Sequence, residues 1–146
     1  MTKLVDHITI IGVGLIGSSL ARAIKKYELA DEVTVCDINE IFLARAKGLG
    51  VGDSFSADPA LAVKDADIIV LAIPVGQMGS TAAIIAPHIK AGAIVTDVGS
   101  VKKSVLVALT PHMPDGVHLV PGHPVAGTEQ SGPDAGFADL FLDRWA

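Results

Sequence analysis

Cysteine, aromatic side chains and basic residues are all scarce in this chain, and no apolar run is long. The single cysteine, Cys36, rules out an internal disulfide and fits a reducing compartment. Lys and Arg number 11 against 16 acids, a net charge of −5. A nucleic-acid surface is therefore not expected, because neutralising phosphates takes clustered basic side chains. The basic pairs Lys25-Lys26 and Lys102-Lys103 read as solvated helix positions. No stretch approaches the ~20 apolar residues of a membrane span. The apolar segment from Ile8 to Leu20 is broken by Gly12, Gly14, Gly17 and two serines, so it does not read as a secretory signal. A soluble, cytoplasmic protein is expected. No histidine has metal-ligand spacing with another His, Cys or carboxylate, so no metal site is expected. Serine-hydrolase elbows and Walker sequences are missing too.

What remains is rich in Ala, Val, Ile and Gly, half of it apolar, over 146 residues. That is one domain's worth of chain, with enough apolar surface for a core. Short β-branched runs alternate with longer segments of helical period. Strands are expected at His7–Ile11, Val33–Cys36, Ser54–Ser56 (weak), Ile68–Ile73, Ala93–Thr96 and Val117–Val120. Helices are expected at Leu15–Tyr27, Glu40–Lys47, after Asp58-Pro59, at Gly76–His88 and at Val101–Thr110. The first helix would turn Leu15, Ile16, Leu20, Ala23 and Ile24 inward. Gly48 would stop the second, and Pro111 the last. Beyond Pro121 the chain turns Gly- and Pro-rich, with one short helix expected around Pro133–Leu140.

The first strand runs into Gly12-Val13-Gly14-Leu15-Ile16-Gly17, and the second ends at Asp37, 20 residues beyond Gly17. A GxGxxG turn between strand and helix, with an acid at this distance, is the dinucleotide fingerprint. Gly12 would allow the tight turn, Gly14 the close approach of a pyrophosphate, and Gly17 the packing of helix on sheet. The phosphates would meet the free N–H groups of Leu15, Ile16 and Gly17 at the positive end of the helix. Asp37 would accept hydrogen bonds from the adenine ribose and repel a 2′-phosphate, favouring NAD over NADP. The fold class expected is α/β: a Rossmann-type, doubly wound, mostly parallel sheet covered by helices on both faces.

In such sheets ligands lie beyond the carboxyl ends of the strands. Three further strand ends open on that side. The fourth strand leaves through Ala72-Ile73-Pro74, and Ala72 and Pro74 are assigned to the cofactor. The fifth leaves through Asp97-Val98-Gly99-Ser100-Val101-Lys102. The sixth leaves through Pro121-Gly122-His123-Pro124. His123, whose imidazole titrates near pKa ~6.5, is the acid/base candidate; a water-exposed turn histidine is the plain alternative. Ser100 stands where a helix N-cap belongs, and a cap hydroxyl at the mouth of the crevice can also face substrate. Asp97 reads as a loop brace.

Together, Gly12–Ser19, Asp97–Lys102 and Gly122-His123-Pro124-Val125-Ala126-Gly127-Thr128-Glu129 resemble the prephenate and arogenate (cyclohexadienyl) dehydrogenases of tyrosine biosynthesis. The closing stretch, Gly136–Phe141 through Arg144-Trp145, is similar as well. The resemblance implies NAD-dependent oxidation of a cyclohexadienol that carries a ring carboxylate. Hydride leaves ring C4, CO₂ is lost and the ring becomes aromatic, giving 4-hydroxyphenylpyruvate from prephenate or tyrosine from arogenate. It implies that His123 takes the proton of the ring hydroxyl, that Ser100 positions that hydroxyl, and that Thr128 and Glu129 line the substrate entrance. It further implies a helical domain of comparable length that makes a homodimer and carries the arginine for the ring carboxylate. These 146 residues correspond to the dinucleotide-binding domain alone. Competing readings are another dehydrogenase of the β-hydroxyacid or 6-phosphogluconate-like group, an imine reductase of similar build, and a non-catalytic NAD-binding module.

Overall fold

The computed structural model describes residues 3–99 and 101–122. Six strands form one sheet: β1 (Val5–Ile11), β2 (Ala30–Cys36), β3 (Ser54–Ser56), β4 (Ile68–Leu71), β5 (Ile94–Asp97) and β6 (His118–Val120). The helices among the described residues are α1 (Leu15–Lys26), α2 (Glu40–Leu49), α3 (Pro59–Ala62), α4 (Val75–Ile85) and α5 (Lys102–Leu109). The strand order is β3-β2-β1-β4-β5-β6, and every neighbouring pair is parallel. This is the doubly wound α/β sheet expected from the alternation of elements.

Period-two alternation along the strands divides the core between the two faces. Ile8, Ile10, Val33, Val35 and Val70 pack with Ala21 and Ile24 of α1 and Ala46 of α2. Ile11, Ile69, Leu71 and Val95 pack on the other face with Met78, Ala82 and Ile85 of α4 and Val105 and Leu109 of α5. Strands buried on both faces have no polar side, which is why their sequences read as unbroken apolar runs. Thr9 is the fully buried polar residue of β1, and its hydroxyl donates to the Ala62 carbonyl of α3 at 2.6 Å.

Several local expectations are corrected. The buried face of α1 is made of Gly17, Ser18, Ser19, Ala21 and Ile24, whereas Leu15, Ile16, Leu20 and Ala23 are only half-buried. Close packing of α1 on β1 favours small side chains at the contact; Ile24 is buried and Leu20 packs against the core from the side, as expected of both. Helix α2 runs through Gly48 and stops at Gly50, which takes the left-handed conformation at φ 65°. The last turns before Ile89 and Met113 tighten into 3₁₀ segments, Ala86–His88 and Thr110–His112, so Pro111 sits inside a turn that continues α5. The N-cap position of α5 is Val101, with no side-chain cap, so the helix starts one residue later than a Ser100 cap requires. The helix expected around Pro133–Leu140 lies outside the described residues.

The topology positions the site. From β1 the chain moves outward through β2 to β3, then returns to place β4 on β1's other side. Connections leave the β1 and β4 ends on opposite faces, which opens a crevice at the carboxyl edge between them.

Candidate dinucleotide site

Beyond Ile11 the backbone turns at Gly12 with φ +101°, a conformation that L side chains avoid. The Gly12 N–H donates to the Cys36 carbonyl at 2.7 Å, tying the turn to the end of β2. A Cβ on Gly12 would lie 2.2 Å from the Ala72 carbonyl oxygen, so the turn lies flush against the outgoing β4 chain. A Cβ on Gly17 would lie 1.8 Å from the Gly12 carbonyl oxygen, which is how closely α1 crosses the turn. Around Gly14 the situation is reversed: a Cβ there would meet no atom within 4 Å. Gly14 is the N-cap residue of α1 and supplies no side chain to the first-turn N–H groups. By contrast, Asn39 caps α2 through Ile41 and Phe42 N–H, and Asp58 caps α3 through Ala60 N–H. The mouth of α1 is therefore an open, donor-rich end of a helix dipole.

Asp37 lies just past β2. One carboxylate oxygen accepts the Val13 N–H at 2.9 Å, and the other accepts the Asn39 N–H at 2.8 Å. It thus ties the glycine turn to the start of α2, a role the 20-residue spacing does not reveal. Each oxygen keeps a further lone pair for a hydroxyl donor.

Gly12, Gly14, Asp37, Ala72 and Pro74 come together on one crevice of about 380 Å³ between the glycine turn and α4. That volume is in the range of small-molecule and cofactor pockets. Leu15, Ile16 and Gly17 form the first turn of α1 behind it. The crevice also takes in residues that motif reading missed, namely Ile38, Phe42 and Pro59 on the Asp37 side and Gln77 and Thr81 on α4. Ile38 carried a signal, since an isoleucine directly after the acid has no core to enter, and it is 72% exposed. Below the turn, burial pushes the Cys36 thiol up to about 12, and the neighbouring Asp37 carboxylate adds to the shift.

At the fifth strand end Asp97 is a brace, as expected, and it is 2% exposed. It accepts from the Gly99 N–H at 2.7 Å and the Gly122 N–H at 3.3 Å. Lys102 is not a solvated helix lysine: its ammonium meets the buried Asp97 carboxylate at 2.5 Å and also the Gly122 carbonyl. Ser100, His123, Thr128 and Glu129 lie outside the described residues. No cluster of three or more His, Cys, Asp or Glu side chains fit for a metal ion occurs among the described residues. None of the described helices is long and apolar enough to cross a membrane.

Residues 20–146 match the family model described as prephenate dehydrogenase, nucleotide-binding domain. A cyclohexadienyl dehydrogenase of Zymomonas mobilis is 49% identical over 138 residues, which cover 94% of this chain and 47% of that protein. A crystal structure of prephenate dehydrogenase from Aquifex aeolicus, in complex with hydroxyphenyl propionate and NAD⁺, superposes with a TM-score of 0.85 at 28% identity. The match covers 95% of this chain and 48% of that one. Arogenate dehydrogenase of Synechocystis gives a TM-score of 0.85 at 29% identity, over 94% of this chain and 48% of the other. The chain therefore spans about half the length of these relatives. The fold, the glycine turn with its acid, and the match over residues 20–146 agree: this chain belongs to the family of prephenate dehydrogenase nucleotide-binding domains.

Proposed function

We propose that this chain binds NAD and forms the cofactor half of a cytoplasmic, homodimeric dehydrogenase that oxidatively decarboxylates prephenate, arogenate or both. The observation that carries the reading is the uncapped, unobstructed mouth of α1 at Gly14, with the Asp37 carboxylate held beside it on the same crevice by the Val13 N–H. These residues fit a dinucleotide. The N–H groups of Leu15, Ile16 and Gly17 would hold the pyrophosphate. Asp37 would accept the ribose hydroxyls, Ile38, Phe42 and Pro59 would face the adenine, and Ala72 and Pro74 would flank the nicotinamide half. When bound, NAD supplies the acceptor for the hydride that leaves ring C4.

Two of the chain's own residues act on the ring hydroxyl. His123 accepts the proton of the ring 4-hydroxyl as its oxygen gains carbonyl character, and Ser100 holds that hydroxyl in line. A positioned base of this kind contributes roughly 10²–10⁴ in rate. Loss of the ring carboxylate as CO₂ returns the electron pair to the ring, which becomes aromatic. Thr128 and Glu129 line the entrance.

The test is NADH formation from NAD⁺ with prephenate and, separately, with arogenate, using the complete enzyme. Absorbance growth with either substrate supports the reading, and the ratio of rates sets the preference. His123→Asn should lower kcat by two orders of magnitude or more and leave NAD⁺ affinity within about threefold. No NADH from either substrate, with NAD⁺ still bound, would leave the fold intact and break the substrate assignment.

A further inference from the structure

A half-buried ion pair stands beside the dinucleotide crevice without lining it. The Asp97 carboxylate is wholly buried at the end of β5, and the Lys102 ammonium reaches it from the first turn of α5. Setting a lysine at the positive end of a helix is unfavourable in itself, and burying a carboxylate is costly unless it is paired. A well-packed apolar pair would serve the core at least as well. What the charges accomplish is visible in their remaining contacts. The carboxylate accepts the Gly122 N–H at 3.3 Å, and the ammonium donates to the Gly122 carbonyl.

Both backbone polar groups of one residue are thus held by the two ends of one ion pair. The peptide planes before and after Gly122 are fixed together. A Cβ at Gly122 would lie 3.0 Å from the Asp97 carbonyl oxygen, so the chain is pressed against the end of β5 at this point. Gly99, between the two charged residues, donates its N–H to the same carboxylate. A Cβ there would meet Val105 at 2.8 Å and Val75 of α4 at 3.0 Å. Asp97, Gly99 and Lys102 therefore make one clamp, with Gly99 set between α4 and α5 and the charges closed on Gly122. The next residue in the chain is His123.

We propose that Asp97 and Lys102 are positioning residues for His123, acting through the clamped backbone of Gly122, its neighbour in sequence. This rests on the reading of His123 as the base. The experiment is a double-mutant cycle in the complete enzyme, with Asp97→Asn and Lys102→Met each made alone and in the His123→Asn background. Each single variant should lower kcat 10-fold or more, while the NAD⁺ dissociation constant, measured by calorimetry, moves less than threefold. Neither should lower the residual rate further once His123 is Asn, because residues acting through one group lose their effect with it. Lys102→Arg, which keeps a donor for both the carboxylate and the carbonyl, should recover part of the loss.

Equal losses in both backgrounds would overturn the proposal, as would a fall in NAD⁺ affinity that parallels the fall in kcat. Full activity of Asp97→Asn alongside an inactive His123→Asn would sink the clamp and spare the base. Full activity of His123→Asn would remove the base assignment, and the clamp with it. Should Lys102→Met fail to fold, Asp97→Asn, neutral and of the same shape, completes the cycle alone.

Discussion

Gly14 and Gly17 occupy the same motif and meet opposite surroundings, which lets affinity be separated from stability one methyl group at a time. A Cβ on Gly17 has nowhere to go, because the atom it meets at 1.8 Å is backbone and cannot swing away. Gly17→Ala should push α1 off the turn and cost roughly 1–3 kcal/mol of stability, with dinucleotide binding lost as well. Gly14→Ala adds its methyl to open space at φ −71°, an ordinary value for alanine, so the loss of stability should stay within about 1 kcal/mol, the preference for glycine over alanine at an N-cap. Its NAD⁺ affinity should nevertheless drop at least 10-fold, because the methyl fills the approach to the helix mouth. Denaturant titration beside calorimetry reads both quantities; unchanged affinity in Gly14→Ala would mean that the phosphates lie elsewhere. At this scale the sequence was informative about glycines and the acid, since their roles follow from spacing along a single turn. It said little of Asp37 as a tether for Val13, or of Lys102 as the partner of Asp97. Both depend on where an N–H or an ammonium points after three elements have packed.

Among the elements, ends were harder to read than existence. Gly48 carries the expected glycine signal for the end of α2, yet the helix spans it and closes at Gly50. The choice is made by the tail hydrogen bonds, Gly50 N–H to Lys47 and Val51 N–H to Ala46, which require the left-handed residue at position 50. Gly48→Ala should therefore stabilise the protein by up to about 1 kcal/mol as an ordinary helix-interior substitution. Gly50→Ala should destabilise it by about 1–2 kcal/mol. The reverse order in urea melts would restore the shorter helix.

The opposite edge of the sheet has its own tie. The Asp67 carboxylate accepts the Asp6 and His7 N–H groups at the start of β1 and pairs with Lys90. The Lys90 pairing, followed by the bond from His7 N–H, lowers its pKa below the usual carboxylate value. A carboxylate with a depressed folded-state pKa adds stability above its unfolded value of about 3.9 and loses it as pH falls through the folded one. Asp67→Asn should be less stable than the parent near neutrality, and the gap should close below about pH 4. A constant gap across an acid titration would show that the charge is not what matters there.

On the scale of the whole molecule, alternation alone was enough to specify the sheet. Parallel strands joined by helices can be wound in few ways, and the turn-back after β3 places the crevice beside the glycine turn. Composition could not reveal which strand-end loops hold one another, because the contact between Gly122 and the Asp97–Lys102 pair joins segments 20 residues or more apart. Such contacts are set by the finished sheet.

Cys36 has a consequence of a different kind. It is the chain's one thiol, buried and held protonated with a pKa near 12, and its own carbonyl anchors Gly12. It packs with Ala62, Val63 and Ala66 on one face of the sheet, so a thiol reagent can reach it only when that packing opens, and the labelling rate counts those opening events. A dinucleotide that binds only the closed form should slow labelling by a factor of one plus the ratio of its concentration to its dissociation constant, about 100-fold at 100 times that constant. The protein thus carries a built-in reporter of how often the core beneath its binding site opens, readable without any introduced probe.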